Sequence, residues 1–192
     1  MTRNSISHLS GQGTRYHAHA DRQEHDYYAT PPKALEVIID RLQLSKNVWE
    51  CACGGGHLSK VLEAHGHNVK STDLYSRGYG VGGVDFLKQT EHFDGDILTN
   101  PPYKYAQEFI EKALELTGGK VVMFLKVQFL EGIRRRDLFR KYPPKYVYVA
   151  SDRFRCAPNG EFDPKATHSS ICYCWFVWEK GYTGETILRW FN

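Results

Sequence analysis

The chain has 192 residues, a formal net charge of +3, and an aromatic complement of 12 Tyr, 10 Phe and 4 Trp. That length suits one hydrophobic core rather than two domains, and no apolar run approaches the ~20 residues of a membrane helix, so a membrane partner is excluded. No apolar h-region opens the chain, and the five cysteines, four of them in Cys-x-Cys pairs, do not form a disulfide framework; an intracellular, cytoplasmic protein is expected.

Residues 1–26 are polar and hold four of the nine histidines, His8, His17, His19 and His25. They show no apolar period and are expected to form a flexible arm. The irregular histidine spacing favours a solvated arm over a metal site. Residues 27–192 are expected to form a single domain. It opens on Asp26-Tyr27-Tyr28-Ala29-Thr30-Pro31-Pro32. Thr30 is placed to cap a helix, with Pro31 at its first position. Leu35, Ile38, Ile39 and Leu42 then share one face at helical spacing.

Val48 to Leu58 reads as a strand, a glycine loop and the start of a helix. A strand–loop–helix of this kind is where nucleotide-like ligands bind in doubly wound sheets, and glycines let the backbone approach them. Gly54 and Gly56 fit the dinucleotide fingerprint, but Ser59 stands where its third glycine belongs. No Walker lysine pattern occurs either, which fits a ligand without a pyrophosphate. Cys51 and Cys53 lack zinc-ligand spacing and read as small packing residues, as do Cys172 and Cys174.

Asn68 to Leu74 reads as the second strand, ending in Asp73. An acidic residue at that strand end accepts hydrogen bonds from ribose hydroxyls, and its plainer role is to shape a turn. A glycine-rich loop, Tyr75 to Gly83, and a short segment, Val84 to Leu87, follow. Asp96 to Thr99 is then an apolar strand that stops at Asn100-Pro101-Pro102-Tyr103. The prolines fix the turn. Asn100 Oδ1 and the Pro101 carbonyl are suited to accept the two N–H hydrogens of an exocyclic amine, with Tyr103 stacked on its ring.

Ala106, Phe109, Ile110, Ala113 and Leu114 mark an amphipathic helix ended by Gly118-Gly119. Lys120 to Leu125 is a central parallel strand by its apolar character. A helix is expected from Phe129 to Lys141, carrying the basic run Arg134-Arg135-Arg136 with Arg140 and Lys141. Such a run is ordinarily a solvated face and suits contact with phosphates. Tyr146 to Ala150 is a sixth strand, Ser151 to Ser170 a long polar loop, and Ile171 to Trp178 a final long strand against which 186–191 pairs back.

The Asn100–Tyr103 turn resembles the NPPY motif of S-adenosylmethionine-dependent amino-methyltransferases, above all those acting on adenine N6. Three more segments match that family in order. Tyr28-x-Thr30-Pro31 resembles its N-terminal cofactor motif. Glu50-x-Ala52-Cys53-Gly54-x-Gly56 resembles its first motif, with Cys51 where proline is common. Asp73-Leu74 and Asp85-Phe86 resemble the acidic ends of its second and third strands. From Asp26 onward the chain is similar to small stand-alone adenine-N6 methyltransferases of phages and prophages.

The resemblance implies an α/β fold: a doubly wound, mostly parallel seven-stranded Rossmann-like methyltransferase sheet, last strand antiparallel, with helices on both faces. It implies S-adenosylmethionine as methyl donor, S-adenosylhomocysteine as product and no metal. Asp85 would receive the cofactor's adenine amine and Phe86 would pack on its ring. DNA, duplex or single-stranded, would be the partner, its adenine flipped against Tyr103 and Phe154. The chain is too short for a separate target-recognition domain, so specificity would come from the loops, the arm or a second subunit in a homodimer. RNA adenine and protein glutamine (N5) are alternative substrates of the same motif. A cofactor-binding scaffold is the non-enzyme alternative, and a nicotinamide dehydrogenase is disfavoured by Ser59 and the proline turn.

Overall fold

The computed structural model describes residues 27–158, 160–162 and 171–191. The expected N-terminal arm, residues 1–26, lies outside the described residues, as do residues 163–170 of the long loop. The chain enters as a two-residue strand, β1 (Tyr28–Ala29), followed by two short helices, α1 (Lys33–Glu36) and α2 (Ile39–Leu42). One continuous helix was expected here. Pro32, not Thr30, takes the cap position, and no side chain bonds the first turn. Thr30 is instead drawn away by Asn100, whose amide donates to its hydroxyl. The apolar face is as expected, with Leu35, Ile38, Ile39 and Leu42 all buried.

The strand–loop–helix follows as β2 (Asn47–Glu50) and α3 (His57–Ala64), and then β3 (Asn68–Ser71). Residues 72–95 hold no strand. Asp85-Phe86 does not end a third strand; Asp85 Oδ1 accepts the Leu87 N–H at 3.1 Å and opens a 3₁₀ turn, Phe86–Lys88. The chain reaches it through Gly78 and Gly80, whose φ values of 78° and 63° turn the backbone too sharply for a strand. Next come β4 (Asp96–Thr99), α4 (Ala106–Leu116) and β5 (Lys120–Lys126).

The helix expected over 129–141 is broken. Gly132, at φ 107°, separates a 3₁₀ turn at Val127–Leu130 from another at Ile133–Arg135, and only α5 (Arg136–Lys141) is helical. The strands β6 (Tyr146–Ala150), β7 (Ala157–Pro158), β8 (Tyr173–Glu179) and β9 (Ile187–Phe191) complete the described chain.

Seven strands form one sheet in the order β3-β2-β4-β5-β8-β6-β9. β8 runs antiparallel to both β5 and β6, and every other pair is parallel. The expected antiparallel strand is therefore present, but it is not the last. β9 follows it and lies parallel to β6 at the far edge, rather than pairing back on β8. It supplies the seventh strand in place of the one absent between β3 and β4.

Side chains on a strand alternate between faces. On β5, Val122 and Phe124 enter one core with α1, α2 and α3, while Val121, Met123 and Leu125 enter another with α4 and α5. Helices thus cover both faces. Strand order reverses between β2 and β4, and ligands in such sheets bind at the carboxyl ends of the strands beside that reversal.

At the opposite end of β4, buried Asp96 ties three segments together. Its Oδ2 accepts the Ser45 N–H at 2.6 Å and its Oδ1 the Lys120 N–H at 2.6 Å. An amide has one acceptor where the carboxylate has two. Asp96→Asn is therefore expected to cost about 1–3 kcal/mol by leaving one buried N–H unpaired. A lowered urea midpoint at unchanged slope would show it, and an unmoved midpoint would refute the tie.

Candidate functional site

A cavity of about 640 Å³ opens at the carboxyl ends of β2 and β4. That volume falls in the roughly 300–1,000 Å³ range of small-molecule sites. Glu50, the last residue of β2, reaches it from a position only 2% exposed. The Ser59 hydroxyl, from the first turn of α3, donates to Glu50 Oε2, and Ser59 and Ser71 share a further bond at 2.7 Å. Burial outweighs the serine bond and pushes the Glu50 carboxyl up to about 8. Asp73, just beyond β3, binds two loops at once: its Oδ2 accepts the Gly54 N–H at 2.8 Å and its Oδ1 the Tyr75 N–H at 2.9 Å. Both its turn role and its place on the cavity wall are realised.

The glycines of the loop serve a purpose the sequence reading missed. Gly54 and Gly56 have φ values of 53° and 77°, and a Cβ on either would lie 2.4 Å from the Tyr27 ring or 2.3 Å from the Tyr79 ring. The Tyr27 hydroxyl accepts the Gly55 N–H at 3.0 Å. The space freed by glycine is thus filled by tyrosines that cover the loop, and Gly54, Gly56 and Pro31 do not line the cavity. Ala52, Cys53 and Leu74 do line it. Burial pushes the Cys53 thiol up to about 12, which disfavours its thiolate.

All four β4 residues are buried, and Asn100 emerges from their end. Its Nδ2 donates to the Tyr28 carbonyl at 3.0 Å and to Thr30 Oγ1 at 2.9 Å. Both amide hydrogens are then spent, which fixes the orientation of the side chain. Asn100 Oδ1 is left buried with no hydrogen-bond partner among the described residues. A buried acceptor costs about 1–3 kcal/mol while unpaired. Pro101, Pro102 and Tyr103 line the same cavity. The Pro102 carbonyl is committed to the Tyr105 N–H at 2.9 Å.

The Tyr103 ring lies 6.3 Å from Tyr28 and 6.3 Å from Tyr173, with Lys126 Nζ 4.4 Å above it. Burial holds its phenol well above the usual range, so it stays neutral. β1 is held over this turn by antiparallel pairing with β7, Tyr28 opposite Pro158. The long loop therefore contributes a strand that fastens the entrance segment. Phe154 of that loop does not line the cavity. It is buried and stacks on Phe191 of β9 at 6.1 Å, so the structure gives it a core role.

Asp85 and Phe86 both line the cavity, yet Phe86 is committed to packing. Its ring meets Trp49 edge-on at 5.3 Å and Phe109 at 5.0 Å. Among the cavity residues that the sequence did not mark as site residues are Tyr27, His57, Arg77 and Lys104. Tyr27, His57 and Lys104 each adjoin a motif residue, which was the available signal; Arg77 carried none. Arg135, from the basic run, is partly spent on structure, donating to the Gln128 carbonyl at 3.2 Å and lying over the Phe129 ring. Among the described residues no group of three His, Cys, Asp or Glu is placed to hold a metal ion, and no helix is long and apolar enough to cross a membrane.

No family model matches the chain, and no curated protein matches it in sequence. Solved structures do match. A protein named as a candidate RNA methyltransferase from Pyrococcus horikoshii is 16% identical with a TM-score of 0.57, over 81% of this chain and 87% of that one. An S-adenosylmethionine-dependent O-methyltransferase from Thermotoga maritima is 13% identical with a TM-score of 0.52, over 80% and 66%. The 23S rRNA methyltransferase ErmE is 16% identical with a TM-score of 0.52, over 82% and 71%. At such identities the likeness establishes the fold, a doubly wound methyltransferase-type sheet.

Proposed function

We propose that this chain transfers a methyl group from S-adenosylmethionine to the N6 amine of adenine in DNA. One observation carries the reading: Asn100 spends both amide hydrogens on Tyr28 and Thr30 and leaves a buried, unpartnered Oδ1 at the cavity. An acceptor so fixed suits a donor amine. The cavity also fits the cofactor. Glu50 would face its ammonium, Asp73 its ribose hydroxyls and Asp85 its adenine amine. When bound, the cofactor supplies a methyl group on a positively charged sulfur.

The chain's own residues address why the adenine amine reacts poorly: its lone pair is delocalised into the ring. Asn100 Oδ1 and the Pro101 carbonyl accept its two N–H hydrogens. These bonds strengthen as the nitrogen leaves the ring plane and gains positive charge, so they stabilise the transition state more than the bound base. With the donor bound, a nitrogen–carbon bond would form as the sulfur–carbon bond broke, and the surplus amine proton would leave to water. Tyr103 stays neutral, and the base would stack on its ring by displacing Lys126 Nζ, 4.4 Å from the ring centroid; such stacking is worth about 1–3 kcal/mol. In a duplex the adenine must first be flipped out. Lys104 and Tyr105 at the cavity rim and the exposed Arg134, Arg136 and Arg140 suit a polyanion, and binding would weaken with salt.

The test is methyl transfer from S-adenosylmethionine to duplex DNA, single-stranded DNA and RNA, with products digested to nucleosides and weighed by mass spectrometry. N6-methyladenine in DNA, absent with Asn100→Ala, is the expected result. Product in RNA alone would keep the chemistry and move the substrate. No product on any nucleic acid, with tight cofactor binding, would turn the reading toward protein glutamine.

A further inference from the structure

Arg77 lies in the loop between β3 and β4 and forms part of the cavity wall. Its guanidinium carbon sits 4.1 Å from the Tyr27 ring centroid and 5.6 Å from that of Tyr75. Stacking engages the faces of the guanidinium plane. It leaves the N–H donors, which point from the edges, clear of the rings. Arg77 Nε is buried and has no hydrogen-bond partner among the described residues.

The carboxylates of the cavity are engaged elsewhere. Glu50 takes the Ser59 hydroxyl, Asp73 takes the Gly54 and Tyr75 N–H groups, and Asp85 pairs with Lys88 at 3.3 Å. Among the described residues no ion pair involves Arg77. A stacked cation with a buried donor, Nε, unmet among the described residues calls for an oxyanion from the ligand. Its location narrows which one. Arg77 stacks on the tyrosine whose hydroxyl holds Gly55 and whose ring lies against Gly54. It therefore stands beside the glycine loop, on the cavity wall.

We propose that Arg77 receives the α-carboxylate of the amino-acid part of S-adenosylmethionine, forming with Glu50 a clamp for that zwitterion. This rests on the methyl-donor reading above. Tyr27 and Tyr75 preset the guanidinium plane, so its edge donors meet the carboxylate with little ordering left to do.

Calorimetry separates the possibilities, using S-adenosylmethionine, decarboxylated S-adenosylmethionine and 5′-methylthioadenosine as probes. Only the first carries the carboxylate. Arg77→Met is expected to weaken S-adenosylmethionine roughly 10–100-fold, the worth of a charge-assisted pair. It should move the other two by less than about twofold, and Arg77→Lys should recover part of the loss. Unchanged binding of S-adenosylmethionine by Arg77→Met overturns the proposal. So does an equal loss for all three probes, which would make Arg77 a support for the tyrosines. If the unmodified protein binds none of the three, the methyl-donor reading itself fails, and this one with it.

Discussion

Replacing Asn100 with alanine is expected to lower the rate of methyl transfer about 10²–10³-fold, while cofactor affinity falls less than tenfold. The magnitude is that of removing one preorganised group aimed at charge developing in the transition state. Alanine removes Oδ1, the acceptor kept buried for the amine. It also unties Tyr28 and Thr30, each held by one Nδ2 hydrogen, at about 1–2 kcal/mol of stability. Single-turnover rates separate the chemical step from binding, and a melting curve reports the stability loss. A variant that keeps the rate and loses only cofactor binding would place Asn100 on the cofactor and not on the amine.

Glu50→Gln should separate stability from binding. Burial raises the Glu50 carboxyl from 4.5 to about 8. In the unfolded chain the group ionises near 4.5, and in the folded chain only near 8. Between those values the unfolded state has released a proton that the native state keeps, so native stability falls as pH rises through this window and levels off above it. The integrated penalty is about 5 kcal/mol. Glutamine does not titrate and still accepts the Ser59 hydroxyl. The variant should match the unmodified protein in urea near pH 4.5 and exceed it by a few kcal/mol at pH 8. Binding of S-adenosylmethionine should weaken at least tenfold, because a neutral amide no longer attracts the ammonium. A cationic ligand would also draw the proton from Glu50, so binding should release protons near pH 7, visible as a buffer-dependent heat. Parallel stability curves for the two proteins across pH 5–8 would show that Glu50 ionises normally despite its burial.

The two variants probe what is legible in the chain and what is not. Asn100 stands out because two prolines follow an apolar strand, a local pattern. Glu50 stands out because it ends a strand before glycines. The side chains that give each its chemistry are distant or unforeseen. Asn100 is oriented by Thr30, seventy residues earlier, which the sequence offered as a helix cap. Tyr27 and Tyr79 fill the space left by glycines that read as room for a ligand. Phe154, an aromatic in a long loop near a binding site by resemblance, is held in the core by Phe191.

The sequence by itself determined the elements whose signals are local. Asp96–Thr99 and Tyr146–Ala150 form as read, because short apolar runs between turn residues leave one conformation that buries them. The mostly parallel sheet with helices on both faces is what the resemblance implied, and strands that alternate with amphipathic helices accord with it. Only the tertiary structure decided which edge the last strand joins, that β1 pairs with β7, and which end of Asn100 faces the cavity. Those outcomes depend on which hydrogen-bonding groups and apolar surfaces meet after the chain has closed. Two residues of β1 carry no period of their own, and an amide turns toward whichever carbonyl and hydroxyl the fold brings beside it.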